Sequence, residues 1–189
     1  VAAGLPAPGE PMGGWEVKEV RGHSLGHYLS ACAMMYAGCG DEGLKAKADA
    51  IVAELAKCQA ALGTSGYLSA FPESFIERAE TVQRVWAPYY VLHKIMAGMF
   101  DMYTYCDNRQ ALEVLEGMAR WCKSRCDKLS DEQMQRMLET TEQGGMNEVL
   151  ANLYGVTGNP EHLALARRFN QQSYNGPLAA GRDELKGQH

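Results

Sequence analysis

Apolar positions recur at three- and four-residue steps along nearly the whole chain, which is the spacing of helices with one buried face. Leu25, Tyr28, Leu29, Cys32, Met35, Tyr36 and Cys39 form a first stripe, and Leu44, Ala48, Ile51, Val52, Leu55 and Leu62 a second. A loop follows, marked by Gly63, Gly66 and Pro72. The next helix is expected to open near Trp86-Ala87-Pro88, with proline in its first turn. It runs through Leu92, Ile95, Met96, Met99, Tyr103 and Cys106, and between Ile95 and Tyr103 only Asp101 is charged. A helix so apolar on most sides is buried on most sides. Residues 109–126 place Leu112, Leu115, Met118, Ala119 and Cys122 on one face. Ser130 with Gln133 three residues later reads as a capping box. Further helices are expected from Met146 to Tyr154 and after Asn159-Pro160, a side-chain cap followed by proline.

A weak repeat links three of these segments. Tyr36-Ala-Gly-Cys-Gly-Asp41, Tyr103-Thr-Tyr-Cys-Asp-Asn108 and Tyr154-Gly-Val-Thr-Gly-Asn159 share one form. A buried-type helix ends with Tyr, a short turn follows, and Asp or Asn caps the next, more polar helix. Each is one αα-hairpin. Their irregular spacing argues against a fixed-period solenoid. Alternating buried and half-exposed helices suit two concentric layers, so the expected fold is all-α, with αα-hairpins forming part of an (α/α)6 toroid. A closed ring of six hairpins needs nearly twice this chain. The whole of 1–189 is therefore read as an incomplete part of such a domain, with 1–12 as an irregular leader.

Composition narrows the partners. The chain has 189 residues, 46% hydrophobic and 22% charged, with a formal net charge of -5. Such a balance is ordinary for a globular domain and provides no broad positive field for nucleic acid or an anionic membrane. No apolar run approaches the roughly 18 residues of a membrane span. The six cysteines lie thinly within helix-like segments and form no CxxC pair. They are read as buried thiols, which favours a cytoplasmic setting, although a signal segment lost upstream would permit a periplasmic or secreted one.

Polar and aromatic groups collect where successive helices begin. His23-Ser-Leu-Gly-His27 sets two imidazoles one turn apart. The zinc-protease pattern needs Glu after the first His, where Ser24 stands, and no third ligand is evident, so no metal site is assigned. Packing, or recognition of sugar hydroxyls by neutral imidazole, remain as readings. Gly13-Gly14-Trp15-Glu16 precedes that helix; Trp86, Tyr89, Tyr90 and His93 open another; Gly144-Gly145-Met146-Asn147-Glu148 opens a third. Each has a bland reading as core or cap, but together they decorate one rim of a toroid, where a pocket belongs.

The motifs are long enough to carry a resemblance. They are Gly13-Gly-Trp-Glu16, Arg21-Gly-His-Ser-Leu-Gly-His-Tyr-Leu-Ser-Ala31, Gly66-Tyr-Leu-Ser-Ala-Phe-Pro-Glu73, Trp86-Ala-Pro-Tyr-Tyr-Val-Leu-His-Lys-Ile95, Gly144-Gly-Met-Asn-Glu-Val-Leu-Ala151 and Pro177-Leu-Ala-Ala-Gly-Arg-Asp183. From Gly13 to His189 the chain resembles glycoside hydrolase family 127 and the related family 146, the β-L-arabinofuranosidases. The resemblance implies an (α/α)6 toroid followed by β-sandwich domains, and exo-hydrolysis of terminal β-L-arabinofuranosides with retention. It also implies a cysteine thiolate nucleophile, a zinc ion held by cysteines and a glutamate, and a separate Glu as acid and base. In motif order those groups follow His189, and none of the six cysteines here matches them. No catalytic residue or metal ligand is therefore assigned. The resemblance thus implies that 1–189 is the N-terminal portion of the catalytic toroid; the missing half becomes the implied partner, and the 189-residue chain alone is expected to be inactive. The resemblance places His27, His93 and Glu148 at the sugar, with Trp15, Tyr67, Phe71 and Trp86 as further wall residues. Another carbohydrate enzyme on the same scaffold, an epimerase or a lyase, and a non-catalytic helical binding module are the alternatives.

Overall fold

The computed structural model describes residues 13–184 together with Gly9. Apart from Gly9, the leader expected over 1–12 lies outside the described residues. Among the described residues there is no strand. Nine α-helices follow a 3-10 turn at Gly14–Val17: α1 (His23–Cys39), α2 (Glu42–Ala61), α3 (Ser74–Glu80), α4 (Pro88–Cys106), α5 (Arg109–Cys126), α6 (Asp131–Thr140), α7 (Met146–Thr157), α8 (Pro160–Arg168) and α9 (Gln172–Ala179).

The three repeated motifs are three hairpin corners. The first helix of each pair runs past its Tyr to residue 39, 106 or 157 and stops at one left-handed residue: Gly40 (φ 70°), Asp107 (φ 53°) or Gly158 (φ 68°). The next residue is the cap. The side chains of Asp41, Asn108 and Asn159 accept backbone N–H groups of Leu44, Ala111 and Glu161. Each such cap is worth about 1 kcal/mol. Asn108 also donates to Asp49 Oδ1 at 2.7 Å, tying the second corner to α2.

The corners set two layers. α1, α4 and α7 pack side by side as an inner layer, and α2, α5 and α8 cover them. α4 is the central element, buried at Tyr89, Leu92, Ile95, Met96, Met99 and Met102 among others, as its apolar sequence requires. The structure is thus a set of αα-hairpins forming part of an α/α toroid. No helix among the described residues is long and apolar enough to cross a membrane.

Close packing of α1 on α4 depends on two glycines. A Cβ on Gly26 would lie 1.9 Å from the Lys94 carbonyl oxygen, and one on Gly98 would lie 2.7 Å from the Gly26 carbonyl oxygen. The buried face of α1 is accordingly His23, Gly26, Leu29, Cys32 and Ala33. The stripe expected from hydrophobicity is only partly correct: Tyr28 and Met35 are exposed, as is Met34. All six cysteines are free thiols, but Cys39 and Cys58 are exposed rather than buried.

Two helices escaped the periodic reading. α3 has seven residues and buries only Ile76 and Ala79. It serves as a strut: Glu80 accepts Arg125 Nε from α5 at 3.0 Å and the Tyr89 hydroxyl of α4 at 3.1 Å. α9 carries Pro177 inside it and buries no residue. The expected capping box of α6 is formed in full, with Ser130 and Gln133 exchanging hydrogen bonds.

Candidate sugar-binding site

The N-terminal ends of α1, α4 and α7 meet at the rim opposite the capped corners. The Tyr90 N–H donates to the Glu142 carbonyl at 3.2 Å, which fixes the approach to α7 against the first turn of α4. Gly144 takes φ 63°, open to glycine, and a Cβ there would stand 2.5 Å from His93 Nδ1. A Cβ on Gly145 would stand 2.9 Å from His93 Nε2 and 3.0 Å from Glu148 Oε2. The two glycines therefore lie flat on the His93 ring. They leave one imidazole nitrogen and one carboxylate oxygen flanking the same small volume.

His93 is 6% exposed, and its Nδ1 has no hydrogen-bond partner among the described residues. Burial lowers its pKa to about 4, with the charges of Lys94 and His27 adding to the effect. It is a neutral imidazole at pH 7, able to donate from one nitrogen and accept at the other. His27, on the exposed side of α1, is also lowered, by desolvation first and then by Lys94 and His23. Lys94 lies over the Tyr90 ring, 5.0 Å from its centroid. Nothing in the sequence pattern singled out Lys94; its role emerges only when α1 and α4 are placed together.

A chain of rings extends this group outward. His23 stands edge-on to His27, with centroids 5.9 Å apart, and 6.1 Å from Tyr90. Trp15 lies 6.0 Å from His23 and 6.0 Å from Trp86. His23 Nδ1 is 2.7 Å from the Val20 carbonyl, which can only accept, so Nδ1 carries the proton. Its Nε2 is then the acceptor in the neutral ring.

Five of the seven residues expected at the sugar thus gather at this rim: Trp15, His27, Trp86, His93 and Glu148. The other two do not, and are corrections. Phe71 is fully buried, packed on Phe75 and beneath the Arg21 guanidinium. Tyr67 is buried against Trp121, with centroids 4.6 Å apart, and its hydroxyl donates to the Phe71 carbonyl at 2.6 Å. They anchor the 63–73 loop to the core. Among the described residues no three His, Cys, Asp or Glu side chains converge where a metal ion could sit. No step is derived through a zinc ion.

The inner helices of this part of an α/α toroid thus carry imidazoles, a carboxylate and exposed indole rings on one rim, groups suited to a polar ligand with apolar faces. Comparison with family models agrees: the model described as "Beta-L-arabinofuranosidase, GH127 catalytic domain" matches residues 1–189. The chain belongs to this family of glycoside hydrolases, and its reaction class is hydrolysis of arabinofuranosides. A search of proteins with curated functions found no match.

Proposed function

We propose that this chain supplies the part of the sugar pocket that holds a terminal β-L-arabinofuranose unit, within a retaining exo-acting hydrolase. The observation that carries the proposal is the pair flanking Gly145, His93 Nε2 and Glu148 Oε2, with His27 on the neighbouring helix. A furanose offers hydroxyls that both donate and accept. Neutral His93 and His27 answer both functions, and the Glu148 carboxylate accepts from a hydroxyl. Trp15 and Trp86, 62% and 41% exposed, supply flat apolar faces for the C–H face of the sugar. In this reading the chain binds and orients substrate. No residue of 13–184 is assigned as nucleophile or acid/base, and catalysis and zinc belong to residues outside this segment. An epimerase on the same scaffold needs imidazoles that exchange a proton with a sugar carbon, and a His93 that stays neutral down to about pH 4 is a poor base for that step.

The test is steady-state hydrolysis of an aryl β-L-arabinofuranoside by the product of the complete reading frame. His27→Ala and Glu148→Ala each remove a hydrogen-bonding group from an exposed side chain. Each is expected to lower kcat/KM by about 10- to 100-fold, the value of one or two polar contacts to substrate. Melting temperature should stay within a few degrees. Wild-type kcat/KM in both variants would overturn the assignment, as would conversion of the sugar without release of the aryl group.

A further inference from the structure

The two exposed tryptophans at the rim sit on segments with little of their own to hold them. Trp15 lies in the 3-10 turn Gly14–Val17, which buries no residue. Trp86 ends a loop in which Val82 adopts φ 55°, a left-handed conformation disfavoured for a β-branched side chain. A loop bent against its own preference is held from outside.

Two carboxylates from one stretch of chain do the holding. Glu16 Oε2 accepts the Gly22 N–H at 2.7 Å, and Glu16 Oε1 lies 3.4 Å from His23 Nδ1. α1 has no capping side chain of its own at Gly22, so Glu16 caps it from six residues upstream and pins the turn bearing Trp15 to the helix bearing His23 and His27. Burial pushes the Glu16 carboxyl up, but hydrogen bonds from Ser24 and Gly22 outweigh it and leave it below the usual range, as for a carboxylate that receives donors. Glu19, three residues on, reaches the other way. Its Oε2 accepts the Trp86 N–H at 3.0 Å across 67 residues of sequence, and its Oε1 meets Arg78 at 3.3 Å. Arg78 also donates to the Arg84 carbonyl, within the same loop.

We infer that Glu16 and Glu19 are positioning residues that set Trp15 and Trp86 as one two-ring platform for the saccharide. The inference rests on the proposed sugar site. Neither glutamate touches the sugar; each fixes the backbone that aims an indole. The platform binds ground state and transition state alike, so its loss raises KM and spares kcat.

Kinetics of the complete gene product on an aryl β-L-arabinofuranoside decide it. Glu16→Ala and Glu19→Ala are expected to raise KM about tenfold with kcat within about twofold of wild type, the size expected for losing a hydrogen bond to a charged group that positions a binding surface. Glu19→Gln keeps an oxygen for the Trp86 N–H, and Glu16→Gln keeps one for Gly22. Both should return KM to within about threefold of wild type. Trp15→Ala and Trp86→Ala are the parallel series. If the tryptophan variants raise KM while the alanine variants at 16 and 19 leave it unchanged, the positioning role is overturned and the sugar site stands. If the tryptophan variants also leave KM unchanged, the platform itself is wrong. If the glutamate variants lower melting temperature and kcat together with KM constant, their role is only structural and the inference fails.

Discussion

Gly26→Ala is expected to destabilise the fold more than any other single-methyl change in α1. The added Cβ would fall 1.9 Å from the Lys94 carbonyl oxygen, 2.2 Å from its carbon and 2.8 Å from the Ile95 nitrogen. All three are backbone atoms of α4, so no side chain can rotate away. The two helices would have to part by more than 1 Å along a contact that also includes Gly98 and Leu29, in the most buried part of the inner layer. Overpacking of this kind costs about 3 kcal/mol or more. For a chain of this size that lowers the melting temperature by about 6–12 °C. Gly38, on the same helix, provides the contrast. Nothing lies within 4 Å of its Cβ position, so Gly38→Ala should stabilise by about 0.5–1 kcal/mol through helix propensity alone. Thermal unfolding of the two variants checks the pair. A neutral Gly26→Ala would show that α1 and α4 are not in backbone contact.

Gly145→Ala is expected to act on the reaction rather than on the fold. Its methyl would enter between His93 Nε2 and Glu148 Oε2, at 2.9 and 3.0 Å. Glu148 is exposed and can swing aside, whereas the His93 ring, 6% exposed and bounded by Gly144, has little room. The methyl therefore occupies the volume assigned to a sugar hydroxyl and tilts the buried His93 imidazole. A displacement of about 1 Å at groups that orient substrate costs on the order of 100-fold in kcat/KM. The backbone at Gly145 has φ -97°, outside the left-handed region reserved for glycine, so the loss of stability should be smaller than for Gly26→Ala. Kinetics and melting temperature measured on the same preparation separate the two effects. Unaltered kcat/KM would mean that the Gly145 flank is not where substrate sits.

What the sequence disclosed, and what it withheld, follows from how local each signal is. Asp41, Asn108, Asn159, Ser130 and Pro88 were legible because a cap acts on residues two or three away. The buried character of α4 was legible because it is apolar nearly all round. The packing face of α1 was not, because its closest contact is made by Gly26, which a hydrophobic pattern does not register. α3 is too short for periodicity to show, and Pro177 with no buried residue hid α9. Within the site, Trp15, His27, Trp86, His93 and Glu148 stood out as polar or aromatic groups at helix starts, and the fold brings those starts together. Tyr67 and Phe71 carried the same signal in a loop, yet they plug the core, since an aromatic among turn residues reads alike in either role. Lys94 and Glu19 were invisible because their partners lie on other segments: His27 one helix away, the Trp86 N–H 67 residues along.

The central claim is that the rim formed by α1, α4 and α7 holds the arabinofuranose ring. A crystal structure of the complete gene product soaked with L-arabinose tests it most directly. The account predicts a furanose beside Gly145, with hydroxyls about 3 Å from His93 Nε2 and from the Glu148 carboxylate, and its C–H face toward Trp15 or Trp86. A sugar bound elsewhere in the toroid, with none of these side chains in contact, would contradict it.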